Sequence, residues 1–308
     1  MTSDTARSGL IGIGDLSKRT GVPVRTIRFY CDNGILDAAR SSGGHRMFER
    51  GPAVERLLLV RRLRALGLGL TAIAAVLTGE QPIEQAVAAE RAAVDAELGA
   101  LAWRRASLAA VEHADPAERA ARLELLAAVQ DGTAARDTLV AFWRRILTPV
   151  PAETFDDFVD MIVPAPLADP SPELVVGFAE LVALAADRQF TGIVAQQLWR
   201  ADRELIRDRV GLLAGVAEAC GMAEPLIAAD QPPRPGRALD RFVYAHAAAR
   251  GVRDTPGFRA RLRHGGHDHD RRLYRYWHLT GELTGASTTA GAAQRWLFDA
   301  LATEGAGV

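Results

Sequence analysis

Cysteine is almost missing from this chain: Cys31 and Cys220 are the only two in 308 residues. A disulfide framework is thereby excluded, and so is any zinc site built from several thiolates. Lysine is rarer still, Lys18 standing alone among 37 basic residues, so the cationic chemistry is that of arginine. No apolar run approaches the ~18 residues that a bilayer span requires, and no basic segment followed by an apolar stretch opens the chain. The expectation is a cytoplasmic protein without a membrane partner. Catalytic constellations are lacking as well. No nucleophile stands beside a base, no carboxylates pair and no phosphate loop occurs. Gly12 and Gly14 lack the strand, third glycine and following helix of a dinucleotide fingerprint. The chain is not expected to be an enzyme, and no cofactor is expected.

What is present is unevenly distributed. Residues 1–79 hold 12 Lys+Arg against 6 Asp+Glu, a net of +6, which leaves −7 for the remainder of a chain whose total is −1. A basic segment beside a mildly acidic one points to an anionic partner for the N-terminal part. Residues 1–10 are small and polar and read as a loose tail. Ile13-Gly14-Asp15-Leu16-Ser17-Lys18-Arg19-Thr20 follows as a short amphipathic helix, then a Gly21 break, then Val22-Pro23-Val24-Arg25-Thr26-Ile27-Arg28-Phe29-Tyr30. Two short helices about a glycine turn form a helix-turn-helix, whose second helix enters the major groove. Val22 and Ile27 are expected in the core with Ile13 and Leu16. Val24, Arg25 and Arg28 then face outward, the arginines a turn apart on one face. Arginine pairs bidentately with guanine and also grips phosphate. Thr26 and Tyr30 can hydrogen-bond phosphate oxygens, which sets register without reading sequence. Residues 40–48 read as a hairpin turning at Ser42-Gly43, with Arg40 and Arg46 on its arms: a wing. Val54 to Leu66 and Thr71 to Leu77 complete the segment as helices.

This order of parts resembles the MerR family of transcriptional regulators, on IGDLSKRTGVPVRTIRFYCDNGIL, then GGHRMF, then LLLVRRLRALGLGLTAIAAVL, within residues 11–77. The resemblance implies a DNA-binding domain over 11–79. It sets Arg25, Thr26, Arg28 and Tyr30 on the recognition helix and Arg40, His45, Arg46 and Phe48 on the wing, with Lys18 and Val24 beside them. The family usually has Tyr where Phe29 and His45 stand, and a capping Ser where Pro23 stands. Residues 82–113 fall where the family has its antiparallel dimerisation helix. By pattern alone this stretch is a long amphipathic helix in which Val87, Val94, Leu101 and Leu108 recur every seventh residue and Leu98 widens the stripe. A helix packed on its own domain would show a similar stripe. The resemblance further implies a homodimer on an inverted-repeat operator in a promoter spacer, acting with RNA polymerase by DNA distortion when a small-molecule effector binds. Metal and redox sensors of the family use cysteines at the dimerisation helix; this chain has none between residues 32 and 219, which disfavours thiolate sensing.

Residues 115–308 read as all-α, giving a mainly α chain overall. Helices are expected at 116–131, 133–147, 152–163, 171–187, 192–220, 237–250, 255–263, 270–284 and 289–303, punctuated by proline. One domain or two, parted at 230–235, both fit. Fifteen of the 19 aromatics lie here. With Asp156, Asp157 and Asp160 near Phe155 and Phe158, they suggest an effector domain whose aromatic cavity and carboxylate suit a cationic drug, although aromatics at helical spacing also simply fill cores. His264, His267 and His269 have ligand-like spacing, but their arginine-rich flanks oppose a cation and favour a solvated loop. A drug-sequestering or enzymatic C-terminal domain carrying an accessory DNA-binding head is the alternative.

Overall fold

The computed structural model describes residues 9–41, 43–200, 203–264 and 270–304. Among these there are fifteen α-helices and a single three-stranded sheet, so the chain is mainly α. It divides into two units, residues 1–97 and 98–308, with the boundary inside the long helix α5 (Ile83–Glu112).

In the first unit, α1 (Ile13–Thr20) ends where Gly21 takes a left-handed backbone (φ 69°) and its N–H returns to the Ser17 carbonyl. Glycine carries no Cβ penalty there, so the chain can reverse within one residue. The Thr20 hydroxyl donates to the Leu16 carbonyl and accepts from the Val22 N–H, tying both sides of the turn. After α2 (Val24–Asp32) come the strands β2 (Ala39–Arg40) and β3 (Arg46–Glu49), then α3 (Arg50–Ala65) and α4 (Leu70–Thr78). A strand that the sequence reading left in the tail and its flank, β1 (Leu10–Gly12), pairs antiparallel with β3, so that the sheet order is β1-β3-β2. Three residues are too few to show alternation, and only the partner strand reveals their state. Leu16, Ile27, Leu57, Val60 and Ile73 form the core, with Ala86 of α5 against it. Arg61 of α3 donates to the Thr20 carbonyl at 3.0 Å and Arg56 to the Ile35 carbonyl at 2.7 Å, holding the helix-turn-helix on its scaffold.

The second unit comprises the end of α5 and ten further helices, α6 (Arg119–Ala127), α7 (Gly132–Leu147), α8 (Ala152–Ile162), α9 (Pro172–Ala186), α10 (Arg188–Trp199), α11 (Arg209–Ala228), α12 (Arg237–Ala248), α13 (Pro256–Arg263), α14 (Arg271–Thr284) and α15 (Ala290–Thr303). Side-chain caps begin many of them. Asp131 accepts from Ala134 N–H, Asp208 from Gly211 N–H and Thr255 from Phe258 N–H, while Ser171 caps α9 with Pro172 at its first position. The expected helix 192–220 is in fact two. Arg200 sits at φ 58° and ends α10, and α11 starts afresh at the Asp208 cap. No proline or glycine marks that break, so the sequence reads as continuous.

Helix α11 is 20 residues long and apolar enough, by composition, to cross a membrane. That corrects the expectation that nothing approaches this length. Its Leu212, Val216, Ala219 and Ala223 are buried in the unit's core, where α12 and α15 pack against it. Most of the aromatics are core residues too. Phe142 stacks on Phe190 with centroids 6.0 Å apart, and the Trp143 indole N–H donates to the Tyr276 hydroxyl at 2.8 Å. All five tryptophans (103, 143, 199, 277 and 296) fall in this unit.

Candidate nucleic-acid interface

Helix α2 begins at Val24 without a side-chain cap, since Pro23 precedes it and offers no oxygen. Val22 and Ile27 turn inward, as the spacing predicts. Arg25 and Arg28 are exposed, three residues apart on one face, while Val24 and Thr26 are half-buried at its margin and Lys18 is exposed on α1. Phe29 lies four residues after Arg25 and is 47% exposed, a large aromatic ring that the core does not use. The sequence reading noted it only as a departure from a family pattern. The available signal was its helical offset from Arg25, which places it on the outward face.

Two residues assigned to DNA contact stand elsewhere. Tyr30 is 9% exposed and packed in the core, and its backbone carbonyl accepts from Ile35 and Leu36 N–H as the chain leaves α2. Phe48 is 1% exposed. It faces inward because residues alternate along β3, so that Phe48 points to the core and its neighbours Met47 and Glu49 away from it. Both side chains seat the interface from behind. An aromatic at the end of a helix and another in a hairpin arm look alike in sequence whether they face water or core.

The wing closes as expected, with Arg40 opposite Arg46 in the β2–β3 pairing. Its tip is held by Ser41 N–H to the His45 carbonyl and by Gly44 N–H to the Ser41 carbonyl, both at 2.9 Å. Arg40 and His45 are exposed. Arg46 instead forms an ion pair with Asp32 at 2.5 Å, linking the wing to the last residue of α2. Asp32 is largely exposed, and such a pair is worth at most ~1 kcal/mol, so the guanidinium can be exchanged onto a phosphate at small cost. The arginine of α3 that donates to Thr20, and Arg64, which donates to the Leu68 carbonyl at 2.7 Å, are already engaged in the scaffold. Cys31, at the end of α2, has its thiol pushed up chiefly by burial, against the opposing pull of Arg46.

Residues 12–80 match the family described as MerR HTH family regulatory protein. These residues form a MerR-type helix-turn-helix domain. The MerR-type head is 41% identical over 80 residues to the nodulation protein NolA of Bradyrhizobium sp. (strain NC92), covering 26% of this chain and 33% of that protein. It is 37% identical over 67 residues to the SoxR-homolog HTH-type transcriptional activator of Chromobacterium violaceum, covering 22% of this chain and 45% of that protein. Against the HTH-type transcriptional regulator HmrR of Rhizobium leguminosarum bv. viciae it is 35% identical over 60 residues, 20% of this chain and 46% of that one. The chain thus spans about a third of the length of the NolA protein it matches, and the family match to the MerR-type head ends at Glu80.

Beyond the MerR-type head, α5 presents its predicted stripe to solvent. Val87, Val94, Leu98, Leu101 and Leu108 are all exposed, Leu108 by 63%, while Trp103, Ala106 and Ala110 of the same helix are buried. Of the histidine cluster, His264 is described, its ring Nδ1 2.6 Å from the Ala260 carbonyl. His267 and His269 lie outside the described residues. No group of His, Cys, Asp or Glu able to hold a metal occurs among the described residues.

Proposed function

We propose that this chain is a sequence-specific DNA-binding transcriptional regulator of MerR type that works as a homodimer in the cytoplasm. The observation that carries this reading is the pair Arg25 and Arg28, exposed on the second helix of a domain matched to the family over residues 12–80. In this reading the two arginines read base edges, with the Phe29 ring against thymine methyl or sugar. Val24, Thr26, Lys18, Arg40, His45 and Arg46 grip or border the backbone.

The exposed apolar stripe of α5 supports association of two copies through an antiparallel coiled coil. A two-fold dimer carries two reading helices, so its operator is an inverted repeat with half-sites about one helical turn, ~34–36 Å, apart. The remaining parts of the proposal are a small-molecule effector bound by residues 98–308 and activation of RNA polymerase at the promoter by distortion of its spacer. No catalytic step belongs to it. The test is a nuclease footprint of the full chain on the promoter region next to its own gene. A protected, symmetric site in the −35 to −10 spacer is expected. Absence of protection on that region would overturn the reading. A cavity in the second unit favours a second possibility, ligand capture as the main activity with DNA binding as an accessory.

A further inference from the structure

Within the second unit, helices α7, α8, α10, α11, α14 and α15 enclose a cavity of about 180 Å³. Cavities near 150 Å³ hold one benzene ring, so this one accommodates a single ring with a short substituent. Trp143, Phe158 and Trp277 supply aromatic walls, and Glu224 is the one charged residue in the lining among the described residues. A larger open cleft of about 640 Å³ shares Gln197, Trp277, Ala286, Thr288 and Thr289 with it.

Two donors on this lining are buried without a partner. The Trp277 Nε1 and Gln294 Nε2 atoms lack any hydrogen bond, and their residues are only 9% and 6% exposed. Three neighbouring polar groups, by contrast, are committed. Trp143 Nε1 donates to Tyr276, the Thr280 hydroxyl to the Tyr276 carbonyl, and the Thr284 hydroxyl to the Thr280 carbonyl. Buried donors without acceptors cost stability, and native folds keep few of them, each calling for an explanation such as a bound partner. Trp277 is also held tightly in place. A Cβ on residue 291 would come within 2.1 Å of its ring, so only glycine fits there and the indole has little room to turn away. The Cys220 thiol on the same wall is pushed up to about 12, chiefly by burial and then by Glu224.

We propose that this cavity binds a neutral, ring-sized aromatic compound bearing an acceptor oxygen such as a ketone, with Trp277 and Gln294 donating to that oxygen. Glu224 disfavours carboxylates, and the two donors need an acceptor lone pair, which an ammonium group cannot offer. The inference deepens the regulator reading by naming the class of its effector. Its test uses no DNA, so failure here and failure of the footprint are separate results.

Three probes of nearly the same shape separate the possibilities: acetophenone, cumene and 1-phenylethylammonium. Each is titrated into the full chain by ligand-observed NMR. Saturable binding of acetophenone at least tenfold tighter than either of the others is expected. In Gln294→Met, which keeps the volume and removes the donor, the preference over cumene should fall to about threefold or less while cumene affinity is retained; that retention itself shows an intact cavity. Equal affinity for cumene and acetophenone in the natural protein would overturn the donor assignment. Tighter binding of the ammonium would overturn the neutral class, and no binding of any probe would overturn the site.

Discussion

At the scale of single residues, exposure separates reading from support. Arg25 and Tyr30 lie on the same helix five residues apart, yet one faces solvent and the other the core. Replacing Arg25 with alanine is expected to weaken specific operator binding by ~1–3 kcal/mol and relax preference at one base pair. A gel-shift titration with unchanged specific affinity would remove Arg25 from that role. A second prediction at this scale concerns acid. His246 of α12 is fully buried, with Arg250 Nη1 3.3 Å from its Nδ1. Burial first, and then the cations Arg250 and Arg200, hold its pKa well below 6.5. The ring is therefore neutral in the fold, whereas the unfolded chain takes up a proton as pH drops past ~6.5. The sign follows: this contribution is complete above pH ~6.5 and is lost on acidification below it, by up to ~1.4 kcal/mol per pH unit. Urea unfolding of His246→Gln between pH 7 and 5 should show a shallower decline than the natural protein; parallel declines would refute the assignment.

Among elements, α5 makes the sharpest prediction. Leu101 is 54% exposed, so Leu101→Glu should change the stability of one chain by no more than ~0.5 kcal/mol. Sedimentation equilibrium should nonetheless show a loss of the proposed dimer, because a carboxylate in its seam would oppose a copy of itself or apolar surface. An unchanged dimer mass would remove this face from the association surface. The stripe was legible because seven-residue recurrence survives without any knowledge of neighbours. Helices capped by Asp, Ser or Thr and flanked by proline were legible for the same local reason. What escaped was non-local or conformational. The strand at Leu10 exists only through β3, and the end of α10 depends on a left-handed arginine that composition does not announce. In the site, the arginines of α2 could be read from their spacing. The inward turn of Phe48 depended on which face of its pairing with Ile11 of β1 met the core. The sequence suggested an aromatic cavity with Asp156, Asp157 or Asp160 as its carboxylate, and none of the three lines the cavity around Trp277. Its carboxylate is Glu224, while Asp160 pairs with Arg136 instead.

For the whole molecule, charge is partitioned: net +6 over residues 1–79 from 12 cations and 6 anions, and −7 beyond. Not all of that positive charge is available. Arg46 faces Asp32, and Arg56, Arg61 and Arg64 donate to backbone carbonyls. Even so, the two heads of the proposed dimer, engaging ~6–10 phosphates, should lose roughly 10³–10⁵-fold in affinity between 50 and 200 mM salt, measured by titration at several ionic strengths. A salt-independent affinity would argue against backbone contacts by the basic face.

The placement of the tryptophans has a practical consequence. With every indole in residues 98–308, and Tyr30 the lone tyrosine of the first 97, light absorbed at the red edge of the indole band is emitted by the second unit alone. A compound settling against Trp143 and Trp277 would alter that emission directly. The head contributes nothing to it, so docking onto an operator is optically silent unless the event reaches the indoles. One emission trace, recorded with and without operator, thereby becomes a readout of communication between the two halves of the chain.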